Sequence, residues 1–169
     1  YNVFGLDHRF NYQYTTDIDL KFLRAHFASY EIPIGWIRNT LRISGGYVEA
    51  EADLPLSSAS VNQKGVSYQL SARDEIPLWN IKSYRHDLIL GGDFKRFDNT
   101  LEFQNQPVFG GKVDIVQFSA GYRSGLSDRW GRTALLAEGF FSPGGLTENN
   151  KRSNFSNYRF KSDPDYYYG

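Results

Sequence analysis

The residues of this chain that could do chemistry are few and widely spaced. Its three histidines, His8, His26 and His86, fall on separate predicted strands, and the sequence contains no cysteine. A zinc site needs three or four converging ligands, so this arrangement does not predict a metal centre. Histidines on an outward strand face near a membrane interface are the simpler interpretation, and we expect no cofactor.

Three carboxylates alternate with small residues where one strand runs into a loop, at Glu49, Glu51 and Asp53. A pair of such acids could hydrolyse a glycosidic bond. Every polar strand face offers pairs of this kind, however, and a solvated loop rim is the better interpretation. The sequence has no nucleophile elbow, phosphate-binding glycine loop or Ser/His/Asp spacing of note. We therefore expect no enzyme.

A larger polar set shares one property, which is its place on the polar side of strands that alternate with period two. We predict that these residues line a pore: Asp7, Arg9, Arg42, Arg73, Glu75, Asp93, Lys95, Gln117 and Arg123. In a packed core the charges would be costly unless paired, whereas a water-filled interior tolerates them. An ordinary solvent-facing sheet surface is the alternative.

The elements that position these residues are strands. Between 113 and 126 one face carries Val116, Phe118, Ala120 and Tyr122, and the other carries Gln117, Ser119, Gly121 and Arg123. The same alternation predicts eight strands, at about 2–15, 23–34, 39–52, 65–78, from 84, 113–126, 132–142 and from 158. The seventh has an uncertain face because Leu135 and Leu136 compete. The chain is thus predicted to be all-β, antiparallel and up-and-down.

The predicted connections differ in length. Those at about 35–38, 79–83 and 127–131 are short, whereas polar loops are predicted at 53–63, 98–111 and 143–157. The three tryptophans, Trp36, Trp79 and Trp130, each lie in or beside a short turn. In a meander those turns share one end, so the indoles would form an aromatic ring at one membrane interface. Tryptophans capping a soluble sandwich are the alternative.

Composition narrows the class of protein. Lys plus Arg equals Asp plus Glu, at 19 each, so no net charge points to nucleic acid. Mean hydropathy is negative, at −0.52, which is compatible with a membrane barrel because only alternate residues face lipid. The chain has no Met and opens on Tyr1. We therefore expect residues 1–169 to be part of a longer protein without its signal peptide.

Five stretches together resemble the outer-membrane transporters of two-partner secretion, the haemolysin activator/secretion family. The strongest is LGGDFKRFDN at 90–99, which is similar to the family's strand G-x-D-x-K-R-x-x-N-x-L. The others are ASYEIPI at 28–34, VQFSAGY at 116–122, DRWG at 128–131 and FSPGGL at 141–146. The similarity spans nearly the whole chain and is strongest from 88 to 150.

The resemblance implies a transmembrane β-barrel of 16 strands in the bacterial outer membrane, of which about eight are present here. It implies periplasmic domains before the barrel and further strands after it. Such a monomeric, porin-like barrel passes a large exoprotein, of haemolysin or adhesin type, to the cell surface. Its partners would be that exoprotein and outer-membrane lipid. The family's Arg-Gly-Tyr/Phe loop motif has no match in this sequence.

Two other functions stay open at this point. One is a complete small outer-membrane barrel of eight strands with a structural or adhesive role, whose interior would be filled by side chains. The other is a soluble carbohydrate-binding β-sandwich that stacks sugars on exposed Tyr and Trp.

Overall fold

The computed structural model describes residues 2–3, 7–18, 22–35, 38–56, 59–103, 106–158 and 162–169. These residues form one antiparallel sheet whose strand order follows the chain. The strands are β1 (Asn2–Val3), β2 (His8–Thr16), β3 (Leu23–Ile34), β4 (Asn39–Leu56), β5 (Ala59–Pro77), β6 (Tyr84–Phe103), β7 (Gln106–Ser127), β8 (Arg132–Pro143) and β9 (Asp165–Tyr168). A short helix, α1 (Arg152–Tyr158), lies between β8 and β9. The prediction of an all-β, up-and-down antiparallel fold is confirmed.

The strand register sorts the side chains onto two faces, because opposed residues of an antiparallel pair share a face. The polar face includes the row Arg9, Glu31, Arg42, Arg73, Gly91 and Ser119. The apolar face includes the row Phe10, Tyr30, Ile43, Ala72, Gly92, Phe118 and Phe141. In β8, Leu135 opposes Ser124 on the apolar face and Leu136 opposes Arg123 on the polar face. The face of the seventh predicted strand is thereby determined.

Where β6 and β7 pair, burial on the two faces is opposite to that expected of a soluble protein. Gln117, on the polar face, is 4% exposed, whereas its neighbour Phe118, on the apolar face, is 49% exposed. Among the described residues, the buried hydrophobic side chains are only Ala25, Val113 and Phe155. The enclosure of the polar face is local to β6 and β7, since Arg42, Gln69 and Arg85 on the same face are exposed.

Two of the predicted long loops are wrong. β4 and β5 remain paired as far as Leu56 opposite Ala59, and β6 and β7 as far as Phe103 opposite Gln106. Most of 53–63 and 98–111 is therefore strand. The polar residues in these stretches do not prevent pairing, since the ladder is made by the backbone. The short connections after β3, β5 and β7 are confirmed.

The two ends of the chain also differ from prediction. Residues 2–15 do not form one strand, because Asn2–Val3 folds back onto Arg9 and His8. Asp7 lies in the intervening turn with φ 57°, a left-handed conformation that Asp tolerates. At the other end, α1 lies at the end of the predicted loop at 143–157 and buries Phe155, and the described part of the strand predicted from 158 begins only at Asp165, as β9.

The edge of β7 is covered where β8 stops. β8 pairs with β7 only as far as Phe118, and beyond that point the segment after β8 lies against β7. Asp114 N–H donates to the Asn149 carbonyl at 3.2 Å, and Asn150 Nδ2 donates to the Asp114 carbonyl at 2.8 Å. These bonds satisfy backbone groups that an open edge would leave unpaired.

Two other edges are open. β1 pairs only with the first two residues of β2, and β9 pairs only with the last four residues of β8. Within the described part of the chain, the first two strands make no contact with β8 or β9. The sheet formed by these residues is therefore not closed on itself. The described segments include no helix long and apolar enough to cross a membrane.

Candidate functional site

An ion-pair ladder runs across the polar face toward the short turns. Arg42 Nε donates to Glu31 Oε1 at 2.9 Å, and Arg42 Nη1 lies 3.5 Å from Glu75 Oε1. Arg123 Nη2 donates to Glu75 Oε2 at 2.9 Å, and its Nε donates to Asp87 at 3.1 Å. Charges of alternating sign thus span β3 to β7. The arginine side chains remain partly exposed, so solvent screening keeps each pair weak.

A more enclosed network lies beside this ladder. Arg73 Nη2 and Gln117 Nε2 both donate to Asp93 Oδ2 at 2.8 Å. Tyr166, on β9, donates its hydroxyl to Gln117 Oε1 at 2.9 Å. The network joins β5, β6, β7 and β9, and it leaves the buried Asp93 carboxylate with charged and neutral donors. Polar groups that are this enclosed require such partners.

Gly91 makes room for the network. A Cβ at this position would lie 2.4 Å from Arg73 Cδ, so the arginine side chain rests directly on the glycine backbone. The next residue, Gly92, has no such restriction, because the nearest atom to its Cβ position, in the Phe118 ring, is 3.8 Å away. Gly91 and Asp93 belong to the motif at 90–99, and here both serve the position of Arg73.

Eight of the nine predicted pore-lining residues lie on the polar face. Seven are in the register rows and hydrogen bonds given above, and Lys95 follows Asp93 by two positions on β6. Asp7 is the exception, because it lies in the turn before β2. Arg9 and Lys95 form no ion pair with any carboxylate of the described residues.

The apolar face is divided into zones along the strands. Toward the hairpin tips, the register aligns Tyr14, His26, Tyr47 and Tyr68 in one row. His26 accepts or donates a 2.8 Å hydrogen bond with Tyr12, and the rings of Tyr47 and Tyr68 stack at 6.2 Å. These aromatic rings with polar tips are the type found at membrane interfaces.

A second aromatic cluster lies on the same face toward the short turns. The hydroxyls of Tyr84 and Tyr122 are 2.6 Å apart, and Tyr122 also hydrogen-bonds His86 Nδ1 at 3.1 Å. On β6, ten positions separate His86 from Arg96 at the tip-side row. Ten residues of strand span about 34 Å at about 3.4 Å per residue. If the strands were tilted by about 40°, as they are in outer-membrane barrels, the two rows would be about 26 Å apart along the barrel axis, which is close to the height of the apolar band of such barrels.

Charged residues follow the tip-side aromatic row. Lys64 Nζ lies 3.0 Å from Glu49 Oε1, and Lys112 Nζ lies 3.0 Å from Asp98 Oδ2. The hydrogen bond from Lys64 holds the pKa of the exposed Glu49 carboxyl below its ordinary value, and the pair's charges act in the same direction. Glu49 and its neighbour Glu51, which accepts from Asn62 at 3.2 Å, are therefore engaged in cross-strand contacts.

Two of the three tryptophans fall within the described residues. Trp79 and Trp130 lie in short turns and are 88% and 82% exposed. Asp128 holds the second turn by accepting bonds from the Trp130 and Gly131 N–H groups at 2.8 and 3.0 Å. Trp36 lies outside the described residues. The two indoles are thus exposed at the end of the sheet at which the aromatic ring of tryptophans was predicted.

Sequence reasoning missed a charged pair on the apolar face. Arg96 Nη2 donates to Asp114 Oδ2 at 2.8 Å, and Thr147 Oγ1 donates to the same carboxylate oxygen at 2.7 Å. Asp114 is fully buried because the segment after β8 covers it. The Lys-Arg pair at 95–96 was a signal for this contact, but its partner on β7 could be identified only from the register.

The histidines serve as hydrogen-bond partners. His8 Nδ1 bonds Tyr30 at 2.8 Å, and His86 Nε2 bonds the Trp79 carbonyl at 2.8 Å. Over the ranges that the structure describes, no three His, Asp or Glu side chains converge as a metal site would require.

Comparison of the chain with protein-family profiles, with curated proteins and with solved structures finds no match. The functional conclusion therefore depends on the two faces of the sheet and on the motifs that they carry.

Proposed function

We propose that this chain is part of a transmembrane β-barrel in the bacterial outer membrane, and that the barrel is a protein-translocating pore of the two-partner secretion type. The polar face lines the passage, and the apolar face meets lipid. The exported partner is a large exoprotein that crosses in an unfolded state. The wall offers charged and hydrogen-bonding groups and performs no reaction.

The observation that carries the proposal is the inverted burial. Phe118, Tyr12 and Leu70 are among many large apolar side chains exposed on one face, while Asp93 and Gln117 are enclosed on the other. In water this arrangement would expose an apolar patch far larger than a soluble monomer presents. In a bilayer the same face is solvated by hydrocarbon, and only alternate residues of each strand need to be apolar.

The zones on the apolar face support the same conclusion. An apolar band lies between two aromatic rows, and charged pairs such as Glu49–Lys64 begin beyond the tip-side row. The separation of the rows is close to the height of a bilayer's hydrocarbon region once strand tilt is included. β4 to β7 therefore continue past the membrane as hydrated hairpins on one side, and the short turns with Trp79 and Trp130 lie on the other.

The resemblance to secretion transporters supports a pore rather than a small filled barrel. Its strongest motif has a structural role here, because Gly91 admits Arg73 and Asp93 binds it. A closed eight-stranded barrel would pair the last strand with the first. β9 pairs with β8, but within the described residues it contacts neither β1 nor β2. The open edges of β2 and β8 are where further strands would complete a larger barrel.

The proposal can be tested with the full-length protein expressed in a Gram-negative host. We expect it in the outer-membrane fraction, resistant to extraction without detergent, with a heat-dependent shift in electrophoretic mobility. In a planar bilayer it should conduct ions, since a barrel of this size contains a water-filled lumen. A protein that is soluble without detergent would refute the membrane assignment, and a membrane-inserted protein that never conducts would favour the small filled barrel.

Export itself needs a separate measurement. Deleting the gene should leave the exoprotein encoded beside it inside the cell, and the full-length gene should restore its release. Normal release from the deletion strain would refute the transport function while leaving the barrel intact.

A further inference from the structure

The polar face changes character toward the hairpin tips. Near the short turns it carries the ion-pair ladder, whereas further along it presents two phenylalanines, Phe27 and Phe97, each 39% exposed. Val113 opposes Phe97 in the register, and its buried side chain lies on the same face. Backbone hydrogen bonding between the strands does not require apolar side chains on an otherwise polar face, so this apolar area calls for a separate explanation.

The two rings border a cavity of about 120 Å³. It is lined by Phe27, Gly46, Val48, Gln69, Lys95 and Phe97. The Phe27 ring lies directly on Gly46, since a Cβ there would be 2.9 Å from two ring carbons. Because Gly46 has no side chain, the Phe27 ring can pack against its backbone, and the cavity keeps its depth at this position. Cavities of roughly 150 Å³ admit a benzene ring, so this one can take an aliphatic side chain.

Lys95 adds a charge at the rim. No carboxylate of the described residues lies within ion-pair distance of its ammonium group. Arg42, Arg73 and Arg123, on the same face, are each paired. An unpaired cation beside apolar rings is complementary to a ligand that carries a carboxylate next to an aliphatic group.

We propose that this cavity is a transient binding site for an extended polypeptide, in which an aliphatic side chain enters between Phe27 and Phe97 and an adjacent Asp or Glu pairs with Lys95. This inference rests on the proposed export function and names the part of the wall that an unfolded chain would contact. Small size and partial exposure keep the contact weak, so that a chain can bind and move on.

The experiment uses the full-length protein in planar bilayers and short unstructured peptides as probes. One peptide alternates leucine and aspartate, a second leucine and lysine, and a third alanine and aspartate. The residence time of each peptide is read from its blockade of the current. We expect the leucine and aspartate peptide to stay longest, because only it satisfies both the cavity and Lys95.

Two variants test the site. Phe97→Ser should shorten the residence of the leucine and aspartate peptide about tenfold, since it removes much of the apolar contact. Lys95→Gln should shorten it about threefold or more and should remove the preference over the lysine peptide. Arg85→Gln is the matched control, because Arg85, like Lys95, is a polar-face cation without an ion pair within the described residues, but it does not line the cavity.

The outcomes separate the site from the pore. A conducting channel with equal residence times in the wild-type protein, Phe97→Ser and Lys95→Gln would overturn the site and leave the export proposal standing. In a second outcome, Phe97→Ser increases the current through the open channel but leaves the peptide residence times unchanged. The cavity would then be occupied by another segment of the same chain rather than by the peptide, and the site would also be overturned. A protein that inserts without conducting would overturn both proposals.

Discussion

The orientation of the sheet can be tested with one substitution at the middle of the apolar band, Phe118→Arg. Phe118 lies between Gly92 and Phe141, so the register supplies no carboxylate that could pair with a new arginine. If this face meets lipid, a cationic side chain near the bilayer midplane should reduce the free energy of unfolding by about 2–4 kcal/mol. A loss of about 2 kcal/mol already changes the folding equilibrium roughly 30-fold.

If this face meets water instead, Phe118→Arg should have a much smaller effect on the free energy of unfolding. Phe118 is half exposed, so an arginine there would be hydrated, and surface substitutions of this kind usually alter stability by about 0.5 kcal/mol or less. Gln69→Arg is the matched control, because Gln69 is exposed on the polar face; Lys95 lies opposite it, and the like-charge repulsion should cost at most about 1 kcal/mol under either interpretation. Phe118→Leu tests for the loss of ring volume alone.

Urea unfolding of the full-length protein in lipid vesicles, followed by tryptophan fluorescence, measures the difference. Indoles such as Trp79 and Trp130, at the turn end, should report release from the membrane interface. We expect the unfolding midpoint of Phe118→Arg to fall well below that of Gln69→Arg, with similar slopes. Equal midpoints for these two variants would refute the lipid-facing assignment of the apolar face.

Three further predictions concern local contacts. Gly91→Ala should lower the free energy of unfolding by about 1–3 kcal/mol in the same assay, because the new methyl group would displace the Arg73 side chain that lies on the glycine. Gly92→Ala should change the free energy of unfolding little. Equal effects of the two substitutions would contradict the close approach at Gly91. Asn150→Ala should speed proteolysis of the segment after β8 by removing a buried bond to the β7 edge, and an unchanged cleavage rate would mean that other contacts hold this segment. In an NMR titration, the pKa of the Glu49 carboxyl should lie below its ordinary value of 4.5, and it should rise toward that value in Lys64→Gln. Because folding lowers this pKa, the contribution of Glu49 to stability should be present above pH 4.5. It should be lost as the pH falls through the pKa of the folded state. The same titration curve in both proteins would rule out the ion pair.

The faces of the long strands could be predicted because their side chains alternate strictly. In β7, each residue from Val116 to Arg123 lies on the face that its alternation assigns. The outcome for the loops was different. At 98–111 polar residues and glycines occur at both odd and even positions, so side-chain polarity no longer distinguishes a paired strand from an irregular loop. The backbone ladder nevertheless continues to Phe103, which no local pattern indicates.

Contacts between distant residues could not be predicted from the sequence, because they depend on the strand register. Asp114 is an even-numbered residue of β7 and therefore lies on the apolar face, where a carboxylate is not expected. It is stabilised there by Arg96 and by Thr147, which is 33 positions away in the chain. Only the register and the path of the covering segment bring these groups together. The turn at Asp7 likewise depends on a left-handed backbone rather than on hydrophobic alternation.

The strictly sequential strand order has a consequence for how such a sheet can be assembled. Every strand pairs with the strands before and after it in the chain, and in the described residues α1 is the only other element packed on the sheet, through β7. Each hairpin can therefore be added to the growing edge as soon as the chain delivers it, with little loop-closure entropy lost at each step. In the proposed barrel, joining the first edge to the last would be the one late event, and we expect it to limit the rate of assembly.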